Sequence, residues 1–185
     1  NMKYLDILKN KYNSWSELEL EIEKLPTTKL MGDAFEQFCY LYFIIKCSQY
    51  QIKQIYPIKD IPHSIRIKYK LESSDCGVDG LIITNTDKAI AYQCKFRSSR
   101  AIPSYDELSK FWIEGRHCDY RCTFANCSHI TSLANKQENT FNILANDLDS
   151  LNEEFFNELY LLVNQKTTIK NKYTPRKYQE KIIDD

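Results

Sequence analysis

The sequence predicts an α/β protein in which helices pack against a mixed β-sheet. Helical segments with apolar residues at three- and four-residue steps are interspersed with short apolar segments typical of strands, and one pair of strands is joined by a turn signal. The chain has 185 residues of which 43% are hydrophobic, enough for one sizeable core. With 4 Gly and 5 Pro, collagen-like and low-complexity structures are excluded.

Two helices are predicted before the first proline break. The first covers residues 3–12. The second begins after Ser14, which forms a capping-box pattern with Glu17, and it runs to about Lys24. Pro26 ends it, because proline cannot continue a helix.

A third, longer helix is predicted from Thr27 or Thr28 onward. Its apolar residues recur at helical spacing and form a stripe that faces the core. These residues are Leu30, Met31, Ala34, Phe35, Phe38, Leu41, Tyr42 and Ile45. Glu36 lies among these apolar residues, at the edge of their stripe.

The middle of the chain is predicted to form strands. Residues 51–58 form one strand, and a hairpin follows with strands at 78–84 and 89–96 around the turn 85–88. Residues 63–71 are ambiguous: apolar and basic residues alternate, which favours a strand, while the preceding proline permits a short helix.

The remaining chain alternates helices and strands. A helix begins at Ser104, residues 120–126 form a strand, and residues 129–136 form a short helix. Residues 141–145 form the last strand, and residues 151–163 form a closing helix. This order of elements is that of an α/β sandwich around a mixed sheet.

Polar residues of the hairpin are expected to meet at one place. Residues two apart on a strand share a face, so Gln93 and Lys95 point the same way, and the Cys94 side chain points to the other side as a core thiol. The hairpin brings Asp79 opposite Gln93 and Lys95, and Glu36 can complete the cluster. The sequence therefore predicts a site built from one amine and several oxygen atoms.

This set of side chains suits the metal-dependent hydrolysis of phosphodiesters. Magnesium prefers oxygen ligands, which Asp79, Glu36, the Gln93 amide and the main-chain carbonyl of Cys94 can supply. Lys95 can orient the attacking water or stabilise the charge that develops on the phosphate.

Three motifs resemble the signature of the PD-(D/E)xK nuclease superfamily, and most closely that of its Mrr-like branch. They are the helical Gly-Asp-Ala-Phe-Glu at 32–36, the Gly-Val-Asp-Gly at 77–80 and the Gln-Cys-Lys at 93–95. The resemblance covers roughly residues 29–162. It implies a three-layer αβα restriction-endonuclease-like fold, a Mg²⁺ or Mn²⁺ cofactor, catalytic roles for Glu36, Asp79, Gln93 and Lys95, and double-stranded DNA as the substrate.

Basic residues follow the predicted catalytic strand. Arg97, Ser98, Ser99 and Arg100 can hold backbone phosphates of DNA, or they can be solvated polar residues at a strand end. The net charge is zero, so any contact with nucleic acid is expected to be local or helped by a partner.

The C-terminal segment carries a second resemblance. Residues 173–179 resemble the glutamine-containing entry segment of superfamily 2 helicases, which implies that Gln179 recognises adenine, with Arg176 beside it in the motif. No phosphate-binding loop occurs in the sequence. We therefore expect residues 165–185 to be a linker and the start of a truncated helicase domain, residues 27–164 the nuclease-like domain, and residues 1–26 an N-terminal helical extension.

The cysteines indicate a reduced, intracellular protein, and the longest apolar run, residues 39–45, is too short to span a membrane. Seven cysteines are an odd number, and several lie in apolar segments. A zinc site is a weaker interpretation, because no Cys-x-x-Cys pair occurs and a strand would hold Cys122 and Cys127 too far apart. The residues of that discounted site would be His117, Cys118, Cys122, Cys127 and His129.

Three functions remain open from the sequence. The first is a DNA endonuclease domain coupled to an ATP-dependent helicase motor of the same polypeptide. The second is a catalytically silent nuclease fold that docks DNA or a protein partner. The third is a junction resolvase, which needs a dimer; the sequence leaves the oligomeric state open.

Overall fold

The computed structural model describes residues 3–72 and 77–164. The helices in these ranges are α1 (Lys3–Leu8), α2 (Trp15–Glu23), α3 (Thr28–Ile45), α4 (His63–Tyr69), α5 (Tyr105–Glu114), α6 (Ala145–Asp149) and α7 (Glu153–Asn164). The strands are β1 (Ile52–Pro57), β2 (Gly80–Thr84), β3 (Ala89–Lys95), β4 (Tyr120–Ala125) and β5 (Thr140–Ile143). Within the described ranges, no helix has the length and apolar character needed to cross a bilayer. The predicted nucleotide contacts Arg176 and Gln179 lie outside the described residues.

The five strands form one mixed sheet in the order β1-β2-β3-β4-β5. The pairs β1–β2 and β2–β3 are antiparallel, which confirms the predicted hairpin. The pairs β3–β4 and β4–β5 are parallel, and α5 lies in the connection between β3 and β4. A parallel pair needs such a crossover, because its two strands run in the same direction.

Helices cover both faces of the sheet, so the predicted three-layer α/β architecture is confirmed. One hydrophobic cluster joins α1, α2, α3 and α7 to the sheet residues Ile82, Ile90, Tyr92 and Phe124. A second cluster joins α4 and α5 to Leu81, Ile83 and Ala91 on the other face. Alternate residues of β2 and β3 thus enter opposite clusters, as the two-residue period of a strand requires.

Helix α3 is the main contributor to the first cluster. Thr27 caps its N-terminus by accepting a hydrogen bond from the Leu30 backbone at 3.2 Å. Phe35, Phe38 and Phe43 on its buried face each contact the ring of Phe124 on β4, with centroids 5.6, 6.5 and 5.6 Å apart. This aromatic packing fixes α3, and with it Glu36, against the sheet.

The predicted N-terminal extension packs into the same cluster as α3. Leu8, Trp15, Leu18 and Ile22 are all buried there. The ring centroid of Trp15 lies 4.8 Å from that of Phe38. Helices α1 and α2 therefore share a core with residues 27–164.

The ambiguous segment 63–71 is helical. Pro62 stands at the N-cap of α4, and Lys70 ends the helix in the left-handed conformation with φ 52°. The guanidinium group of Arg66 donates to the carbonyl groups of Ile58 and Glu72, which joins this helix to the chain before and after it. The alternation of apolar and basic residues therefore does not mark a strand here.

After β4, the predicted helix is wrong, whereas the predicted strand is present with shifted ends. The helix expected at residues 129–136 is reduced to one 3₁₀ turn, Ala134–Lys136. The strand expected at 141–145 ends at Ile143, and α6 begins at Ala145. Asp147 accepts a hydrogen bond from the Leu144 backbone at 2.9 Å, a contact typical of the start of a helix. Leu144 is therefore the N-cap of α6 and not part of the predicted strand.

Candidate active site

The residues predicted to carry the chemistry meet in one cleft of about 460 Å³. It is lined by Glu36, Ile58, Gly77, Val78, Asp79, Gln93, Cys94, Lys95, Glu107 and Lys110. The structure therefore brings together a helix of one layer, two neighbouring strands, and a helix of the other layer. The cleft has three carboxylates and two amines, so its charge is mixed.

Asp79 is held by main-chain contacts on both sides. It directly precedes β2; its N–H donates to the carbonyl of Tyr92 and its own carbonyl accepts from the N–H of Ile58, each at 2.9 Å. Its carboxylate oxygen Oδ2 accepts a hydrogen bond of 2.6 Å from the N–H of Cys94. The carboxylate is therefore oriented beside β3 before any ligand binds.

Glycines on either side of Asp79 allow the chain to pass through a narrow space. A side chain at Gly80 would overlap the ring of Tyr92, which is fully buried. Gly77 has φ +76°, and a Cβ atom there would lie 3.2 Å from the Phe111 backbone nitrogen and 3.4 Å from Nε2 of Gln93. The Gly-x-Asp-Gly pattern thus has a packing reason at both glycines.

The Gln93 side chain leaves a polar atom unsatisfied inside the cleft. Gln93 is 4% exposed, and its Oε1 has no hydrogen-bond partner among the described residues. Leaving a buried acceptor unpaired costs on the order of 1–3 kcal/mol. A cation or a water in the cleft would satisfy this oxygen.

Glu36 has an unusual ionisation equilibrium. Burial, and after it the negative charges of Asp79 and Asp33, raise its pKa to about 7, while Lys29 and Lys59 oppose the shift. The Glu36 and Asp79 carboxylates are thus close enough to repel each other. A divalent cation between them would remove this repulsion.

The donor set fits Mg²⁺ or Mn²⁺ better than a soft metal. The residues that the structure describes contain no group of three or more His, Cys, Asp or Glu side chains arranged to hold a metal ion. The cleft instead offers two carboxylates and one amide oxygen, and a hard cation completes such a set with water. Glu36, Asp79 and Gln93 would be the side-chain ligands.

The Cys94 side chain belongs to the core, as predicted. It packs against the α3-side cluster beside Cys39. Burial raises the pKa of the Cys94 thiol well above its ordinary value, so the thiol stays protonated and is a poor nucleophile. Cys94 contributes to the site through its backbone N–H, which donates a hydrogen bond to Asp79.

Lys95 ends β3 at the cleft, and its main chain is fixed by β4. The N–H of Asn126 donates to the Lys95 carbonyl at 3.3 Å. The fully buried Asn126 side chain accepts from the N–H of Arg97 at 2.8 Å and donates to the Arg97 carbonyl at 2.9 Å. This amide therefore continues the pairing of the strand beyond Lys95.

In the segment predicted to hold DNA phosphates, both arginines form ion pairs with carboxylates of the same chain. Arg97 forms an ion pair with Glu107 of α5. Arg100 forms ion pairs with Glu19 of α2 at 2.8 Å and with Asp149 of α6 at 2.7 Å. Both guanidinium groups would have to share or leave these carboxylates in order to bind a phosphate, and their DNA contact stays a prediction.

The two serines between these arginines also contact the N-terminal half of the chain. The backbone N–H of Ser99 donates to Glu23 at 2.8 Å. The Ser98 hydroxyl lies 3.7 Å from the sulfur of Met31. Residues 97–100 therefore join the end of β3 to α2 and α3.

The cysteines of the discounted zinc site are divided by the sheet. Cys122 lies in the cluster on the α3 face, whereas Cys118 and Cys127 lie in the cluster on the α5 face. Their pKa values are raised by burial. Thiols on opposite faces of a sheet cannot share one ion.

Sequence reasoning missed two polar residues of the cleft, Glu107 and Lys110. They are three positions apart on α5, so they share a face of the helix. Nothing in the local sequence distinguishes them from solvated helix residues. Only the packing of α5 at Phe111 against Gly77 brings them to the cleft.

The fold and the cleft define an α/β domain with a restriction-endonuclease-like fold. The ATP-dependent Type ISP restriction-modification enzyme LlaBIII, solved bound to DNA, has a similar structure: TM-score 0.56 and 16% identity over 75% of this chain. The MspJI restriction endonuclease, solved with a 27-mer oligonucleotide, gives a TM-score of 0.32 and 13% identity over 85% of this chain. Only the first fit is close enough to indicate a shared fold.

This chain spans a small part of these proteins, 8% of the LlaBIII chain and 40% of the MspJI chain. No protein family matches the sequence, and no curated protein does.

Proposed function

We propose that this chain is a divalent-metal-dependent DNA endonuclease domain of the PD-(D/E)xK type, with the motifs of the Mrr-like branch. The observation that carries the proposal is the convergence of Glu36, Asp79, Gln93 and Lys95 on one cleft. The unpaired Gln93 oxygen and the repulsion between Glu36 and Asp79 both favour a bound cation. The likeness to LlaBIII, a DNA-bound restriction enzyme, supports the proposal through the shared fold.

Each side chain has a role that follows from its position. Mg²⁺ or Mn²⁺ would neutralise phosphate charge and make an attacking water more acidic. The Asp79 carboxylate is held in place by the Cys94 N–H. Lys95 lies in the cleft, where its ammonium group can stabilise charge on the phosphate. The pKa of Glu36 is about 7 in the metal-free chain, and a bound cation would favour the ionised carboxylate as its ligand.

Plasmid cleavage tests the proposal. The chain is incubated with supercoiled plasmid and Mg²⁺, Mn²⁺ or a chelator, and we expect nicking or linearisation only with metal. Asp79→Ala and Lys95→Ala should each lower the cleavage rate by about 10²-fold or more, because each removes a group that acts on the reacting phosphate.

Matched controls are Glu138→Ala and Lys136→Ala, which remove an exposed carboxylate and an exposed amine that do not line the cleft. Both should cleave like the parent chain, and circular dichroism should show that all four variants are folded. Cleavage that survives in both cleft variants would refute the assignment.

We further propose that the domain acts with an ATP-dependent helicase or translocase motor of the same polypeptide, inside the cell. The helicase-like residues 173–179 motivate this coupling. LlaBIII is described as ATP-dependent, and this chain spans 8% of its length. In such an arrangement the motor would bring the nuclease domain to its DNA, which suits a chain of zero net charge.

A silent docking module is the second candidate function. It is favoured by the neutral net charge, and by the described residues having no group of three or more His, Cys, Asp or Glu side chains arranged to hold a metal ion. Calorimetric titration with Mn²⁺ separates the two functions. A nuclease should bind Mn²⁺ and lose that binding in Asp79→Asn, whereas a docking module should give the same small heat in both proteins.

A further inference from the structure

Two lysines are the basic residues among those that line the described cleft. Lys95 comes from the end of β3, and Lys110 comes from α5 on the opposite layer of the sandwich. The two arginines that follow β3, Arg97 and Arg100, are not among these lining residues, and they pair with Glu107 and with Glu19 and Asp149, respectively. Positive charge in the cleft therefore comes from β3 and from α5.

The position of Lys110 is set by close packing next to it. Phe111, the next residue, is fully buried, and its backbone nitrogen would lie 3.2 Å from a Cβ atom at Gly77. The same Cβ atom would lie 3.4 Å from Nε2 of Gln93. Gly77 therefore lies between α5 and the Gln93 amide that we propose as a cation ligand, and a larger side chain at this position would contact both.

The first turn of α5 is anchored to the end of β3. One oxygen of Glu107 pairs with Arg97, and the other accepts a hydrogen bond of 2.7 Å from the N–H of Ser104. These contacts lower the pKa of Glu107, the Ser104 backbone contributing most. Because Glu107 and Lys110 share a helix face, this anchor also fixes where the Lys110 side chain begins.

DNA entering the cleft meets the Glu36 and Asp79 carboxylates, which repel its phosphates. A cation on the facing wall offsets that repulsion and orients the strand. We propose that Lys110 binds a non-bridging oxygen of a DNA backbone phosphate in the cleft, with the Arg97–Glu107 pair holding α5 in position. This inference rests on the proposed nuclease function and identifies a substrate contact for it.

Binding measurements in a cleavage-deficient background test Lys110. Each variant is combined with Asp79→Ala, and its affinity for a fluorescein-labelled duplex is measured by anisotropy at several salt concentrations. Lys110→Ala and Lys110→Gln should weaken binding about five- to tenfold at about 0.1 M salt, and should lower the slope of log Kd against log salt by about one. Lys110→Arg should retain both the affinity and the slope.

The matched control is Lys136→Ala, which removes an exposed lysine away from the cleft and should change neither quantity. Thermal melts should coincide, since Lys110 is exposed and its side chain is outside the core. An unchanged slope in both Lys110 variants overturns the inference.

Cleavage by the parent chain distinguishes a failure of the Lys110 contact from a failure of the proposed nuclease function. If the parent cleaves with metal while Lys110→Ala binds like the background protein, only the Lys110 contact fails. If the slope falls in Arg97→Ala but not in Lys110→Ala, the phosphate contact belongs to residues 97–100 and the inference is overturned. If the parent neither binds nor cleaves DNA, the nuclease function and the Lys110 contact fail together.

Discussion

Glu36 connects the chemistry of the cleft to the stability of the fold. Its pKa is about 7 in the folded chain and 4.5 for an ordinary glutamate. Folding therefore strengthens proton binding, and the ionised carboxylate destabilises the native state. As pH rises from about 4.5 to about 7, this residue lowers the free energy of unfolding, and above that range the loss is complete.

Glu36→Gln should remove this dependence in metal-free protein. At pH 8 the variant should be more stable than the parent by about 1 kcal/mol, a value reduced from the full shift because the carboxyl is partly solvated. At pH 4.5 or below the difference should shrink towards zero. Urea unfolding at both pH values measures it, with the exposed Glu138→Gln as control. An equal difference at both pH values would contradict the assigned pKa shift.

The two-residue period of a strand was enough to predict most of the cleft. It placed Gln93 and Lys95 on one side and the Cys94 thiol in the core, and the structure shows the thiol there. It could not predict Lys110, whose position depends on how α5 packs against Gly77. Nor could it predict that Arg97 and Arg100 meet carboxylates from three separate helices.

At the scale of elements, the segment after β3 is a junction between layers. Arg100 joins α2 to α6 through Glu19 and Asp149, and Glu19 is only 8% exposed. Asn126 donates a further hydrogen bond to Glu19, at 2.9 Å. Opposite charges and these hydrogen bonds raise the pKa of the Arg100 guanidinium, which therefore stays charged.

Arg100→Met should lower the free energy of unfolding by about 2–4 kcal/mol, because it leaves the buried Glu19 carboxylate without its cation. Urea denaturation provides the measurement. Arg116→Met is the matched control: the Arg116 guanidinium contacts a carbonyl of its own helix, and its loss should cost less than about 0.5 kcal/mol. A similar small loss at Arg100 would show that the ion pairs contribute little.

Elements with strong local signals were predictable, and those fixed by distant contacts were not. The hairpin of β2 and β3 and the cap of α5 at Ser104 are local, and the structure has both. The segment 63–71 was ambiguous because its alternation competed with a proline, and Arg66 decides it through main-chain contacts outside the helix. The α6 helix was missed because strand residues run directly into it.

At the scale of the whole molecule, the N-terminal helices are structural members of the core. Deleting residues 1–26 removes Leu8, Trp15, Leu18 and Ile22 from the α3-side cluster. Burial of each such side chain stabilises a fold by about 1.5–3 kcal/mol. The combined loss is therefore similar to the whole free energy of unfolding of a typical domain, about 5–15 kcal/mol.

The deletion variant should therefore lack cooperative unfolding and near-ultraviolet circular dichroism. A helical extension that packed outside the core would leave both signals intact. Glu17→Ala, which removes an exposed side chain of α2 that contacts Asn13, is a mild control and should remain folded. A cooperative melt of the shortened chain would show that the core is complete without α1 and α2.

The parts of the cleft lie at very different separations along the chain. Asp79, Gln93 and Lys95 belong to one hairpin and meet through neighbouring strand contacts, whereas Glu36 arrives on a helix packed from above by aromatic rings. Loosening α3 would thus release one carboxylate and leave the other three groups near their native spacing. The first sign of such partial opening would be the return of Glu36 to the acidity of an ordinary glutamate, before any strand separates.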